Sequence, residues 1–290
     1  MQCSSACMHC LVHSHYEKSK NKSDEKLKQT YMRKIMELMS NSTDQDTAPY
    51  LSYCCDCLFE NIFNEPIEFA GIKKDFNQFV LDREDELTLR IKGSSDPLKT
   101  ALIFARIGNY IDFGAMDNVN KDDFLKLFES NKHSILPEDT YNKFIKDLNN
   151  ADSFLLIADN CGEIVLDRFF LEELKLAYPK LKTTLMVKEK DVLNDATTED
   201  ALQAGFQNIT EIINTGNGIA GCDPRLISSE ALAALNNHSV ILSKGQANFE
   251  TLFGTGKNIY YSFLCKCDYF AGKFNVEPFS GMFMREKDFY

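Results

Sequence analysis

The sequence lacks any apolar run long enough to span a membrane, since a spanning helix needs about 20 consecutive apolar residues. The segment Met1-Gln2-Cys3-Ser4-Ser5 does not have the basic stretch followed by an apolar stretch that is typical of a secretory signal peptide. Internal repeats, low-complexity tracts and Pro- or Gly-rich linkers are also missing. We therefore expect a cytoplasmic protein with no membrane partner.

Basic residues are in deficit. The chain has 32 Lys and Arg against 43 Asp and Glu, which gives a net charge of −11. Domains that bind nucleic acid usually carry a basic surplus, so we expect no nucleic-acid partner. A small phosphorylated ligand is compatible with this charge because it requires only a few local cations.

The spacing of apolar residues along the chain changes near residue 150. Residues 1–150 carry apolar positions at helical spacing, as in Lys26 to Met39, and Asp96-Pro97 is a strong helix start. After residue 150, apolar runs typical of strands alternate with helical segments, which predicts βαβ units and a largely parallel sheet. The predicted strands are 154–158, 184–187, 209–213, 240–242 and 259–264, and the predicted helices between them are 164–177, 199–205 and 229–235. We predict a mainly helical N-terminal region, 1–150, and an α/β domain that binds metal and phosphate, 151–290.

Polar residues follow the first predicted strand directly. Asp159 and Asn160 come at its end, and Glu163 begins a helix just after Gly162. Ligands of open α/β sheets bind at the carboxyl ends of strands, near helix N-termini that favour anions. Carboxylate and amide oxygens suit Mg²⁺ or Mn²⁺ better than zinc. The alternative is a plain turn, because Asp and Asn are common turn formers and helix caps.

The second strand end supplies Asp195, which would be a third oxygen ligand if its strand lies beside the first. Its alternative role, shared with Asn194, is to cap the helix that follows.

Two further strand ends carry cations and carboxamides. Lys244, Gln246 and Asn248 follow the fourth strand and suit phosphate and sugar hydroxyls, although the two carboxamides are equally common in ordinary loops. Lys266 follows the fifth strand and would place a positive charge on a transferring phosphoryl group. A solvent-exposed lysine is the alternative at that position.

Ten cysteines is a high number, and in a cytosolic protein they are expected to be reduced thiols or metal ligands. The pairs Cys7-x-x-Cys10 and Cys54-x-x-Cys57 would together supply a structural zinc site, with the alternative that Cys7, Cys10, Cys54 and Cys57 are thiols on helical faces. Cys161 would be a nucleophile if a helix N-terminus lowers the pKa of its thiol, but the flanking oxygens favour a metal.

Several of these motifs, in this order, resemble the damage-control phosphatase family, long catalogued as domain of unknown function eighty-nine. They are Asp96-Pro97-Leu98, Gly108-Asn109-x-Ile111-Asp112-Phe113-Gly114, Ala158-Asp159-Asn160-x-Gly162-Glu163, Asn194-Asp195-Ala196-Thr197, Lys244-Gly245-Gln246-Ala247-Asn248-Phe249-Glu250 and Lys266-Cys267. The length and the N-terminal CxxC pair resemble the compact, stand-alone branch. Two departures are Ala247, where the family often has Gly, and the absence of the Arg-Thr-x-Lys signature of the larger branch.

The resemblance implies a three-layer α/β/α sandwich with a largely parallel sheet and an N-terminal helical bundle. It also implies a phosphatase that acts on sugar phosphates or damaged phospho-metabolites and depends on a divalent metal, namely Mn²⁺, Mg²⁺, Co²⁺ or Ni²⁺. Carried over by position, Asp159, Asn160 and Asp195 would bind the metal and Lys266 would hold the phosphate; the substrate side would be formed by Asn248 with its loop, and by Glu163, Asn109 and Asp112.

Two mechanisms fit this set of residues. The metal would position a water molecule for attack, or Asp159 would attack phosphorus and form an aspartyl-phosphate. Two other functions stay open. One is a protein-carboxylate methyltransferase that uses S-adenosylmethionine, against which the lack of a G-x-G-x-x-G loop weighs. The other is a non-catalytic metabolite-binding module.

Overall fold

The computed structural model describes residues 1–65, 70–110 and 135–290. The described part of the first half is helical, with α1 Ser5–Ser19, α2 Glu25–Asn41, α3 Ala48–Phe63, α4 Ala70–Leu81, α5 Glu84–Lys92, α6 Pro97–Gly108 and α7 Glu138–Leu148. The second half contains β1 Ser153–Ile157, α8 Glu163–Ala177, β2 Lys182–Val187, α9 Thr198–Gln203, β3 Glu211–Asn214, α10 Ser229–Asn237, β4 Val240–Lys244, α11 Gln246–Leu252, β5 Ile259–Leu264, α12 Asp268–Phe274 and β6 Gly281–Arg285. The predicted α/β sandwich with an N-terminal helical region is confirmed.

The six strands form one sheet in the order β3-β2-β1-β4-β5-β6. The first five strands are parallel, and β6 is antiparallel to β5. The strand order reverses direction between β1 and β4, which is where ligands of open α/β sheets bind. All five predicted strands are present. The sequence analysis missed β6, a short edge strand in which only Met282 and Phe283 are buried.

Helices cover both faces of the sheet, which explains why its strands are continuous apolar runs. On β1, Phe154 and Leu156 contribute to the core beneath α6 and α8, whereas Leu155 and Ile157 contribute to the core beneath α10 and α11. Because α6 and α8 share one core, a helix of the first half lies against the helix that begins at Glu163. Helices α1 to α3 form a smaller core of their own around Tyr31 and its neighbours.

Two helix starts follow the expected capping chemistry. The Asp96 carboxylate accepts a hydrogen bond from the Lys99 N–H at 3.0 Å, with Pro97 in the first turn of α6, as predicted. Helix α9 is capped by Thr197, whose side chain and backbone N–H both bond to the Asp200 carboxylate. The cap is therefore neither Asn194 nor Asp195, so the capping alternative for those two residues is wrong.

Across the described ranges, no helix combines the length and the apolar character that a bilayer crossing requires.

Candidate active site

Two loops at the carboxyl edge of the sheet are joined through their backbones. The Ala196 N–H donates to the Asp159 carbonyl at 2.7 Å, and the Cys161 N–H donates to the Asn194 carbonyl at 2.8 Å. Asn160 and Asp195 form an antiparallel bridge between the same loops. The structure thus brings Asp159, Asn160 and Asp195 together at the point where the strand order reverses.

The Asp159 carboxylate is held tightly by hydrogen bonds and by the nearby backbone of Gly245. Its Oδ2 accepts hydrogen bonds from Asn109 Nδ2 and Asn160 Nδ2, both at 2.7 Å. Gly245, with φ of 82°, lies against the other side: a Cβ at this position would be 2.1 Å from Asp159 Cγ. The turn after β4 therefore requires a residue without a side chain, both for its backbone conformation and for its distance from the carboxylate.

Negative charge is concentrated around Asp159. Burial raises the pKa of this carboxyl group well above its usual range, and the carboxylates of Glu163 and Asp195 raise it further; Lys266 and the hydrogen bond from Asn109 oppose them. A buried carboxylate with acidic neighbours is stabilised by a cation or by a proton.

The donor atoms fit a hard divalent cation. The Asp159 and Asp195 carboxylates and the Asn160 carboxamide offer oxygen ligands of the type that Mg²⁺ and Mn²⁺ prefer. In the described part of the chain, no three His, Cys, Asp or Glu side chains converge as a metal-binding group, so this set depends on the carboxamide as its third protein ligand. Lys188 Nζ lies 3.7 Å from Asp195 Oδ2 and offsets part of the negative charge.

Lys244, expected to contact substrate, is instead fully buried beneath α8. Its ammonium group donates to Asp167 Oδ1 at 2.7 Å, to the Ala105 carbonyl at 3.0 Å and to Glu163 Oε1. All three ammonium hydrogens are used inside the protein. The substrate role of Lys244 is therefore wrong in this structure, because the last residue of β4 faces the helix and not the cleft.

Three other residues that were expected to contact substrate are buried and make hydrogen bonds within the protein. Glu163 accepts from Asn109 Nδ2 at 2.9 Å and from Lys244, and Asn109 Oδ1 accepts from the Leu264 N–H at 3.0 Å. Asn248 Nδ2 donates to the carbonyls of Ala158 and Lys244, at 3.0 and 2.7 Å. Each of the three has 0% relative exposure. Their predicted contact with substrate is therefore wrong in this structure, and they instead hold the strand ends in position. Asp112 lies outside the described residues.

For Gln246 and Lys266, contact with substrate stays a prediction. Both are half-buried at the carboxyl edge of the sheet, and the Lys266 N–H donates to Gln246 Oε1 at 3.4 Å. Both side chains line a cavity of about 540 Å³.

The cysteines do not form the predicted zinc site. All ten are free thiols, and no three of Cys7, Cys10, Cys54 and Cys57 converge as a metal-binding group in the part of the chain described. Burial raises the pKa of Cys161, which makes this thiol a poor nucleophile.

Asn77 is a positioning residue that the sequence analysis missed. Its Oδ1 accepts from the Gly162 N–H at 2.6 Å, and its Nδ2 donates to Asp200 Oδ1 at 2.8 Å. One side chain of α4 therefore links the loop after β1 to the helix that follows the Asp195 loop. No local pattern in the sequence reveals this link, because Asn77 is 85 residues from Gly162.

We expect Asn77→Ala to raise the metal concentration for half-maximal activity by about 10- to 100-fold, because residues that hold metal ligands in place have effects of this size. The measurement is a metal titration of activity at saturating substrate. The matched control is Gln78→Ala, at the exposed next position of α4. An equal shift in both variants would contradict a positioning role for Asn77.

The buried group of Lys244, Glu163 and Asp167 predicts a pH-dependent stability. Burial raises the pKa of Asp167 from its ordinary value of 3.8 to about 7; Lys244 opposes this shift and Glu163 adds to it. Because the folded state binds a proton that the unfolded state has already lost, the free energy of unfolding should fall as the pH rises from about 4 to about 7. Urea denaturation of the metal-free protein at several pH values measures this slope.

Asp167→Asn should flatten the slope, whereas Asp139→Asn, at an exposed position of α7, should retain it. A slope that survives in Asp167→Asn would assign the proton to another group.

The chain is similar to known proteins over most of its length. The sequence model of the family described as damage-control phosphatase ARMT1-like domain matches residues 3–280. A damage-control phosphatase of Pyrococcus horikoshii is 29% identical over 235 residues, covering 78% of this chain and 79% of that protein. A damage-control phosphatase of Archaeoglobus fulgidus is 28% identical over 277 residues, covering 92% and 93%.

The crystal structure of a DUF89 family protein from Pyrococcus horikoshii superposes with a TM-score of 0.81 at 23% identity and covers 99% of both chains, which shows the same fold. With the match over residues 3–280, this chain belongs to the damage-control phosphatase ARMT1-like domain family.

Proposed function

We propose that this protein is a divalent-metal-dependent phosphatase that hydrolyses small phosphomonoesters. Family membership supports a phosphatase, since both relatives above are named damage-control phosphatases. The observation that supports the metal dependence is the Asp159 carboxylate, which is buried beside the carboxylates of Glu163 and Asp195. Burial and both of these neighbours raise its pKa. A divalent cation would balance this charge.

Each residue has a defined part in the proposal. Asp159, Asp195 and the carboxamide oxygen of Asn160 would hold the metal, which when bound supplies charge stabilisation and a site for water. Asn109 keeps Asp159 in position through its 2.7 Å hydrogen bond. Lys266, which lies close enough to lower the pKa of Asp159, would bind a phosphate oxygen as charge builds during transfer.

Water is the nucleophile in this proposal, and Asp159 is not. Two amide groups hold Asp159 Oδ2, and the backbone of Gly245 lies against the carboxylate, so the side chain has little freedom to move toward phosphorus. Attack by a side chain requires close approach in line with the leaving group.

The test is phosphate release from p-nitrophenyl phosphate and a panel of sugar phosphates, first in EDTA and then with Mg²⁺, Mn²⁺, Co²⁺ or Ni²⁺ added singly. We expect release only with metal. Release that persists in EDTA would overturn the metal dependence, and no release with any metal and ester would overturn the proposed function.

A further inference from the structure

Two histidines lie one turn apart on the outer face of α1. His9 and His13 are both exposed, and their rings are nearly parallel, with centroids 6.4 Å apart and an angle of 9° between the ring planes. Residues four apart in an α-helix are neighbours on its surface. The two imidazoles are therefore presented to solvent on the same side of the helix.

Contacts on another face of α1 fix the rotation of the helix. His15 is buried, and its Nδ1 lies 2.6 Å from the hydroxyl oxygen of Tyr31, which belongs to the small core of α1 to α3. Ser4 caps the start of α1 by accepting a hydrogen bond from the Cys7 N–H at 3.1 Å. Because the helix is anchored in this way, the fold itself holds the two exposed histidines side by side.

We propose that His9 and His13 form a second metal site, which takes a transition-metal dication such as Ni²⁺, Co²⁺ or Zn²⁺ and not Mg²⁺. Histidines four residues apart on one face of a helix can each donate a ring nitrogen to the same ion. Imidazole suits these ions, whereas Mg²⁺ prefers oxygen ligands. This inference goes beyond the proposed function and does not depend on it.

The geometry allows both rings to reach one ion. A histidine nitrogen binds zinc at about 2.0–2.1 Å, which places the centroids of two rings on the same ion about 5 Å apart. The observed separation of 6.4 Å is slightly longer, and rotation of two exposed side chains closes the difference without any movement of the helix. Within the described ranges no third His, Cys, Asp or Glu side chain converges on the pair, so water would complete the coordination.

The surroundings of the pair favour a cation. Glu17 follows His13 by one turn of α1, and the pKa of its carboxyl group is lowered by Lys20 and, to a smaller extent, by His13. At the other end of the pair, His9 lines the cavity of about 540 Å³ together with Asp268. A carboxylate at each end of the pair lowers the electrostatic cost of binding a dication.

The histidine pair differs from the proposed oxygen site in the metals that it accepts. Asp159, Asn160 and Asp195 offer oxygen ligands, so an excess of Mg²⁺ should occupy that site and leave the histidines free. Ni²⁺ that binds in excess Mg²⁺ therefore reports on the pair. The thiol of Cys10, which is exposed next to His9, is the competing ligand that the experiment has to exclude.

The experiment is a calorimetric titration of the full chain with Ni²⁺ in excess Mg²⁺ and a phosphine reductant. It compares the wild type with His9→Ala, His13→Ala, Cys10→Ser and the double variant His13→Ala, Ser14→His. The double variant keeps the number of histidines and moves one ring to the exposed next position, where the spacing no longer allows chelation.

We expect the wild type and Cys10→Ser to bind one Ni²⁺ with the same Kd. In the other three variants the Kd should rise about 100-fold, because a single ligand replaces two linked ones. An unchanged Kd in His9→Ala, in His13→Ala or in the double variant would overturn the inference, as would loss of binding in Cys10→Ser.

Histidine ring NMR provides a second measurement that needs no variant. Ni²⁺ is paramagnetic, so a small amount should broaden the ring signals of His9 and His13 and leave those of His15 and His238 sharp. Equal broadening of all four signals would contradict a specific site. Neither measurement uses turnover: if the protein hydrolyses no ester, the proposed function fails, and the Ni²⁺ titration still decides whether the histidine pair binds metal.

Discussion

Replacing Asp159 with Asn should reduce metal-dependent phosphate release by about 1,000-fold or more, because several kcal/mol of metal-derived stabilisation would be lost. The change keeps the size of the side chain and removes its charge. The amide oxygen of the new side chain can take the place of Asp159 Oδ2, which now accepts hydrogen bonds from Asn109 and Asn160. Initial rates over a metal titration measure the loss.

The same variant should not be less stable than the wild type when metal is removed. Burial and the carboxylates of Glu163 and Asp195 raise the pKa of Asp159 in the folded state. A raised pKa means that the ionised group lowers stability at pH values above its folded pKa, and that this penalty disappears as the pH falls and the group binds a proton. In EDTA, Asp159→Asn should lack this part of the pH dependence.

The control for Asp159→Asn is Asp152→Asn, just before the first residue of β1 and thus near the opposite edge of the sheet, where the side chain is exposed. That variant should retain both activity and stability. Wild-type activity in Asp159→Asn would remove this residue from the reacting centre.

Lys244→Met should lower the free energy of unfolding by about 3–5 kcal/mol, because removing one partner of a buried ion pair leaves an uncompensated charge. Lys244 is bound to both Glu163 and Asp167 beneath α8 and has no exposed surface. Methionine has a similar length, so the loss would come from charge and hydrogen bonding and not from a cavity. Urea denaturation at neutral pH measures the change.

Lys266→Met is the matched comparison, since it makes the same change in the other strand-end lysine. Lys266 is half-exposed at the cavity, so its loss should alter stability little while lowering phosphate release strongly. The reverse pattern, with normal stability in Lys244→Met and normal activity in Lys266→Met, would restore the substrate role that the sequence suggested for Lys244.

These two lysines show what the sequence could predict and what it could not. Each follows an apolar run, and the runs themselves correctly predicted β4 and β5, because strands buried on both faces need apolar residues throughout. The sequence does not show that β4 continues to Lys244, or that this residue faces α8 and not the cleft. The side on which a strand residue lies depends on where the strand ends, and a shift of one residue reverses it.

That Asp159, Asn160 and Asp195 lie near one another could be predicted, because this depends on the direction of the strands and not on the side to which a strand residue points. Parallel strands carry their ends to the same edge of a sheet, so the loops that follow neighbouring strands begin side by side. Asp195 lies eight residues beyond the end of β2 and reaches Asn160 because the two loops pair. Asn77 was not predictable, because its contacts depend on how α4 docks against a distant loop. The edge strand β6 was missed because only two consecutive residues of it are buried, Phe283 in one core and Met282 in the other, which is too short a run to predict a strand.

Asn77 of α4 and Asn109 at the end of α6 both support the loop after β1, and this has a consequence for gene fragments and hybrids of this family. Asn77 holds Gly162, and Asn109 holds Asp159, so the strand ends are completed by residues encoded far upstream of them. A gene fragment that starts at residue 151 would encode every proposed metal ligand and would still lack the groups that orient them. A hybrid gene that joins the helices of one relative to the sheet of another would have to preserve both asparagine contacts at the crossover.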